Sequence, residues 1–163
     1  MAILFNAEEI YSMAVQIERN GAEFYRKAAK GTGGKPAAKM LLELAAMEDD
    51  HERTFTQMKN ALTDRERTGE TFDPAGEGDL YLQAMVEGKI FDFSVKPADA
   101  LTGAESLASI LRTAIGLEKD SILFYVTMKG MVPQDRGKER IDDIIRQELG
   151  HIGLLSKKLA SAG

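Results

Sequence analysis

Apolar residues return every three or four positions along most of the chain, in four long runs that predict helices. The first, about residues 6–30, opens on Asn6 with Glu9 as its capping-box partner. It repeats through Ile10, Ala14, Ile17 and Gly21 and stops at Gly31-Thr32-Gly33-Gly34. The second, about 35–62, runs through Met40, Leu44, Met47, His51, Phe55 and Met58. The turn between them is short, so the two helices are expected to be antiparallel neighbours. A third run, about 103–131, opens on a second capping box, Thr102 with Glu105, and continues through Leu111, Ile115, Leu117, Ile122 and Phe124. After Val132-Pro133 a fourth spans about 134–160.

Between the pairs, about residues 63–102, the pattern lapses. TDRERTGETFDPAGEG reads as loop, DLYLQAMVEGK as a short helix and IFDFSVKPADAL as an extended connection. Two helical hairpins joined by such a crossover predict an all-α fold, a four-helix bundle with one long connection, in a single domain over 1–163.

Four polar residues break the apolar stripes at matched places. Glu48 and His51 in the second run form the same Glu-x-x-His as Glu148 and His151 in the fourth, one hundred residues later. That offset also maps Glu18 onto Glu118, Phe24 onto Phe124, Tyr25 onto Tyr125, Ile10 onto Ile110 and Ala14 onto Ala114. With 15 glutamates and two histidines in 163 residues, a Glu three places before both histidines is a chance event of about one in a hundred.

Residues three apart share one helix face, so each Glu-x-x-His offers both side chains to one point. Four carboxylates facing one another in a bundle core would cost several kcal/mol each, by about the usual penalty, unless protonated or matched by cations. Two divalent ions match four carboxylates, and carboxylate with imidazole suits iron, manganese or zinc. One Glu from each of two helices and a Glu-x-x-His from each of the other two is the ligand set of carboxylate-bridged dimetal bundles. The expected metal ligands are Glu18, Glu48, His51, Glu118, Glu148 and His151.

Composition narrows the function classes further. A net charge of −5 gives no footprint for nucleic acid or an anionic membrane. No apolar run approaches the ~18 residues of a membrane span. MAILFNAEEI lacks the features of a secretory signal, so a cytoplasmic location is expected. The absence of cysteine excludes disulfides and thiolate-held metal from these residues.

IERNGAEFY around Glu18, MEDDHERTF around Glu48 and His51, GLEKDSILFY around Glu118 and QELGHIGLL around Glu148 and His151 resemble the ferritin-like superfamily, and within it the rubrerythrin-type diiron proteins. The resemblance covers both hairpins. It implies that Glu18 and Glu118 are the single-helix ligands, that Glu48 and Glu148 bridge the metals, and that His51 and His151 take one metal each. Rubrerythrins proper also carry a rubredoxin domain with four cysteines, which these residues lack, so an electron donor is expected to be a separate protein. Some members place a further glutamate one turn beyond the third-helix ligand; here that position is Ser121, and its first-helix equivalent is Gly21.

Tyr25 and Tyr125, two turns past Glu18 and Glu118, are hydrogen-bond donors to ligand carboxylates, redox-active phenols close to the metals, or core residues with satisfied hydroxyls. Glu23 and Glu52 lie near the ligand faces but are expected in solvent, as are Asp49 and Asp50; Met13, Met47 and Met128 are expected as core filler. Three functions fit: an oxidoreductase whose two metals, expected to be iron, react with peroxide or dioxygen; a ferroxidase or iron-binding or storage protein without turnover; or a non-catalytic bundle with a structural metal site. A homodimer is implied by resemblance. Leu80, Tyr81, Met85, Ile90, Phe91 and Phe93 of the crossover would either form its contact or cap their own bundle.

Overall fold

The computed structural model describes residues 4–69, 71–88, 92, 94–133 and 137–162. Four long helices carry the structure: α1 (Ala7–Gly31), α2 (Lys35–Asn60), α5 (Leu107–Met131) and α6 (Lys138–Ser161). The crossover contributes two short helices, α3 (Asp64–Thr68) and α4 (Glu77–Val86), and a 3-10 turn at Pro97–Ala100. No strand occurs among the described residues. Helix α1 packs along α2 and α5 along α6; α1 also meets α5, and α2 meets α6, which closes a four-helix bundle.

Helix α1 begins as its sequence dictates. Asn6 Oδ1 accepts from the Glu9 amide at 2.9 Å while the Glu9 carboxylate accepts from the Asn6 amide at 2.9 Å. The third long helix starts later than expected, at Leu107 rather than about 103. Thr102 and Glu105 do contact each other, but in a turn built on Gly103 at φ +87°, and Ser106 is the cap, accepting from the Ser109 amide. A left-handed residue cannot continue a helix, so the glycine delays its start. The fourth begins at Lys138, after Gly137 at φ +87°; residues 134–136, where it was expected to start, lie outside the described residues. The second ends at Asn60, two residues short of Leu62. The stretch read as loop after it contains α3, opened by a capping box between Thr63 and Glu66.

Buried positions follow a three-four alternation. On α2 the larger ones are Leu41, Leu44, Glu48, His51, Phe55, Met58 and then Leu62 beyond its end, with Ala37 and Ala45 buried beside them. On α6 they are Ile141, Ile144, Glu148, His151 and Leu155. This spacing keeps one seam facing its partners along a bundle. The apolar core forms two clusters. One joins the start of α1 and the ends of α2 and α5 to α4, through Ile10, Phe55, Leu82, Met85 and Met128. The other joins the end of α1 and the start of α2 to the start of α5, through Phe24, Leu41, Leu44 and Leu111. The polar residues of the repeat lie between them. In the crossover Met85 is fully buried under the first cluster, Tyr81 is half-buried and Leu80 is exposed; Ile90, Phe91 and Phe93 lie outside the described residues.

Candidate metal centre

Glu18, Glu48, His51, Glu118, Glu148 and His151 all lie in the bundle interior, none more than 4% exposed. They form two groups that share two members. Glu18, Glu48, His51 and Glu148 bring one donor atom each within 4.8 Å of one another, and so do Glu48, Glu118, Glu148 and His151. His51 Nδ1 stands 3.4 Å from Glu18 Oε2, 3.6 Å from Glu48 Oε2 and 3.0 Å from Glu148 Oε1. His151 Nδ1 stands 3.4 Å from Glu48 Oε1, 3.4 Å from Glu118 Oε1 and 2.9 Å from Glu148 Oε2. Glu48 and Glu148 therefore each turn one oxygen to one histidine and the other oxygen to the second. The imidazole rings stack with centroids 5.8 Å apart and planes 17° apart.

These short approaches lack hydrogen-bond geometry. Glu18 Oε2, Glu48 Oε1, both oxygens of Glu148 and Nδ1 of both histidines are buried without a hydrogen-bond partner. Buried polar atoms are almost always paired, and a cluster of orphans facing a common centre calls for a ligand. Oxygen and imidazole nitrogen donors suit a hard or borderline divalent cation, so the residues fit the metal pair that their spacing implies.

Each single-helix glutamate is held from the opposite hairpin. Tyr25 donates its hydroxyl to Glu118 Oε1, and Tyr125 donates to Glu18 Oε1. Both tyrosines are fully buried; the Tyr125 ring packs on Phe55 with centroids 5.0 Å apart. The tyrosines thus serve as donors to the carboxylates, each to the glutamate of the other half. Outside the cluster, Arg19 Nε meets Glu52 at 2.6 Å, Arg26 meets Asp49, and Lys96 meets Glu23 at 3.1 Å. These carboxylates are engaged at the surface and add nothing to the centre.

One neighbour carried no signal in the sequence. His51 Nε2 lies 3.1 Å from Gln147 Oε1; an amide oxygen accepts, so this contact suits the tautomer with its proton on Nε2 and Nδ1 free toward the cluster. Gln147 belongs to the polar side of α6, and a glutamine there looks like any solvated residue.

The electrostatics sort the six residues. Burial pushes the Glu18 carboxyl well above its ordinary range, and the nearby Glu48 adds to the shift. Burial likewise raises Glu118, outweighing the contact with His151 that would lower it. Burial also acts to raise Glu48 and Glu148, but close contacts override it. The Glu18 carboxyl and the two imidazoles hold Glu48 below its ordinary value, and the imidazoles hold Glu148 lower still. Burial alone would lower both histidines; the facing carboxylates reverse this, raising His51 strongly and pushing His151 up to about 12.

A cavity of about 30 Å³ adjoins the cluster, lined by Ile17, Gly21, Tyr25, Glu48, Glu118 and Ser121 among others. Gly21 and Ser121 keep it open. A Cβ at Gly21 would stand 3.4 Å from Glu48 Cγ, in ordinary contact.

The sequence matches the rubrerythrin family model over residues 9–159. The chain belongs to the rubrerythrin family. Among solved structures it is similar to a protein of Thermotoga maritima assigned as a ferritin-like diiron-carboxylate protein. The two are 26% identical, with a TM-score of 0.68 and coverage of 98% of each chain. Comparison with curated proteins gave no match. The ferritin-like bundle expected from the sequence is therefore the fold observed. Among the described residues, no helix of this rubrerythrin-family chain is long and apolar enough to cross a membrane.

Proposed function

We propose that the chain binds two divalent metal ions, iron by preference, and that the loaded protein is an oxidoreductase acting on peroxide or dioxygen. The observation that carries the reading is the pair Glu48 and Glu148, each directing one oxygen toward His51 and the other toward His151. Glu18 and His51 would complete one position, Glu118 and His151 the other. Iron is supported by the neighbour from Thermotoga maritima, assigned as a diiron-carboxylate protein. When bound, such a metal pair supplies the two electrons that reduce a peroxide or dioxygen.

The chain's own residues set the conditions. Tyr25 and Tyr125 hold a proton against Oε1 of Glu118 and Glu18, which fixes these carboxylates and leaves Glu18 Oε2 free to face the centre. The adjoining cavity admits only a small molecule. A water needs about 10–15 Å³ of such space, so about 30 Å³ suits an oxidant of two heavy atoms. The electrons would come from a separate donor protein. Leu80 on α4 and Leu123 and Val126 on α5 are exposed and support a homodimer contact, which light scattering would test.

The test is anaerobic loading with Fe(II), followed by rapid mixing with peroxide and, in parallel, with dioxygen. Fast oxidation by at least one, and repeated turnover once a reductase is supplied, is the expected result. Iron-loaded protein inert to both would refute the oxidoreductase.

A further inference from the structure

The two halves of the centre are related by the hundred-residue repeat, yet their outer edges differ. His51 Nε2 meets Gln147 Oε1 at 3.1 Å. His151 Nε2 is buried and has no hydrogen-bond partner. The repeat explains the difference. Its offset puts Met47 where Gln147 stands in the other half, and a thioether is at most a weak acceptor.

The contrast extends to the surroundings. The edge of His51 lies in a surface pocket lined by Asp50, Thr54, Gln57, Arg140, Asp143 and Gln147. The hundred-residue offset assigns Gly150, Leu154, Lys157, Met40, Glu43 and Met47 to the corresponding positions of the other half. The residues at the places of Thr54, Arg140 and Gln147 are thus Leu154, Met40 and Met47, all apolar. One imidazole is anchored at a polar edge; the other is not.

From this we infer that the two metal positions are inequivalent, with the His51 position binding first and more tightly because Gln147 orients its imidazole. The inference rests on the dimetal reading above. An acceptor on the outer nitrogen fixes the tautomer that presents Nδ1 inward, holds the ring and raises its basicity; removing such a partner commonly costs 10–100-fold in metal affinity, by the usual range. At His151 the same tautomer leaves a buried N–H unpaired, so ligation there lacks that support. Gln147 is a positioning residue, acting through His51.

The chain has only two histidines, so each imidazole can be followed by nitrogen NMR of histidine-labelled protein during titration with Zn(II). The first equivalent is expected to move the His51 Nδ1 signal and the second that of His151, with affinities about tenfold or more apart. Gln147→Met should weaken the first step about 10–100-fold and make the two signals move together. Gln147→Glu, which keeps an acceptor, should preserve the order, and Met47→Gln should tighten the His151 step. Gln147 is exposed, so these changes leave the core packing intact. Two signals moving in step in the unaltered chain, or an order unchanged by Gln147→Met, would overturn the inference while leaving the dimetal reading in place. Zn(II) that moves neither signal would overturn both.

Discussion

At the scale of single residues, the centre combines groups that would be unfavourable alone. Glu148 is fully buried and lies close to both imidazoles, so removing it takes from each a carboxylate that favours its charged form. Glu148→Ala should lower the stability of the metal-free protein by about 3–5 kcal/mol, the usual cost of breaking a buried ion pair. It should also abolish binding of the metal pair. Denaturant unfolding and metal analysis check the two effects separately. The tyrosines make a gentler test. Tyr25→Phe and Tyr125→Phe each remove one donor to a glutamate and keep the ring, so each should weaken metal binding by about 10–100-fold with the fold retained. Calorimetric titration would show which step each variant weakens: that of the Glu118 position for Tyr25→Phe and that of the Glu18 position for Tyr125→Phe.

At the scale of helices, much was legible because the core seam and the ligand set share one periodicity. Glu48, His51, Glu148 and His151 stand at positions where Leu or Ile would otherwise complete the stripe, and a polar residue in such a place announces itself. The Asn6 cap was legible for a similar reason, since donor and acceptor sit three residues apart. The Thr102–Glu105 pair has the same spacing and misled, because the positive φ of Gly103 turns the chain there and the helix starts at Leu107. Gln147 could not be foreseen at all: its role depends on how α6 lies against α2, which spacing within one helix does not encode. Gly21 illustrates a position whose meaning is spatial. Gly21→Ala should stabilise α1 by up to about 1 kcal/mol, since alanine favours a helix over glycine and its Cβ finds ordinary contact distances. It should also narrow the cavity and slow oxidation by peroxide, without changing metal stoichiometry. Thermal unfolding and stopped-flow rates together check this.

At the scale of the whole molecule, charge balance links the fold to metal binding. In the metal-free chain burial raises Glu18 and Glu118, and the facing carboxylates raise His51 and His151, so these groups hold their protons more tightly than they would in solvent. A metal takes carboxylate and neutral imidazole as ligands, so protons leave as metal enters. Affinity should therefore rise with pH and fall on acidification. Calorimetry in buffers of different ionisation enthalpy detects the release, and a release of none would contradict these shifts. Each metal position held at about a hundred times its own dissociation constant should add about 2.7 kcal/mol, raising the melting temperature by roughly 5–10 °C per position for a chain of this size.

The most direct measurement is anomalous diffraction at the iron edge from crystals grown with Fe(II) under anaerobic conditions. Two peaks per chain are expected, no more than about 4 Å apart, one beside Nδ1 of His51 and one beside Nδ1 of His151, with Glu48 and Glu148 spanning both. A single peak, or iron bound only outside these six residues, would contradict the account.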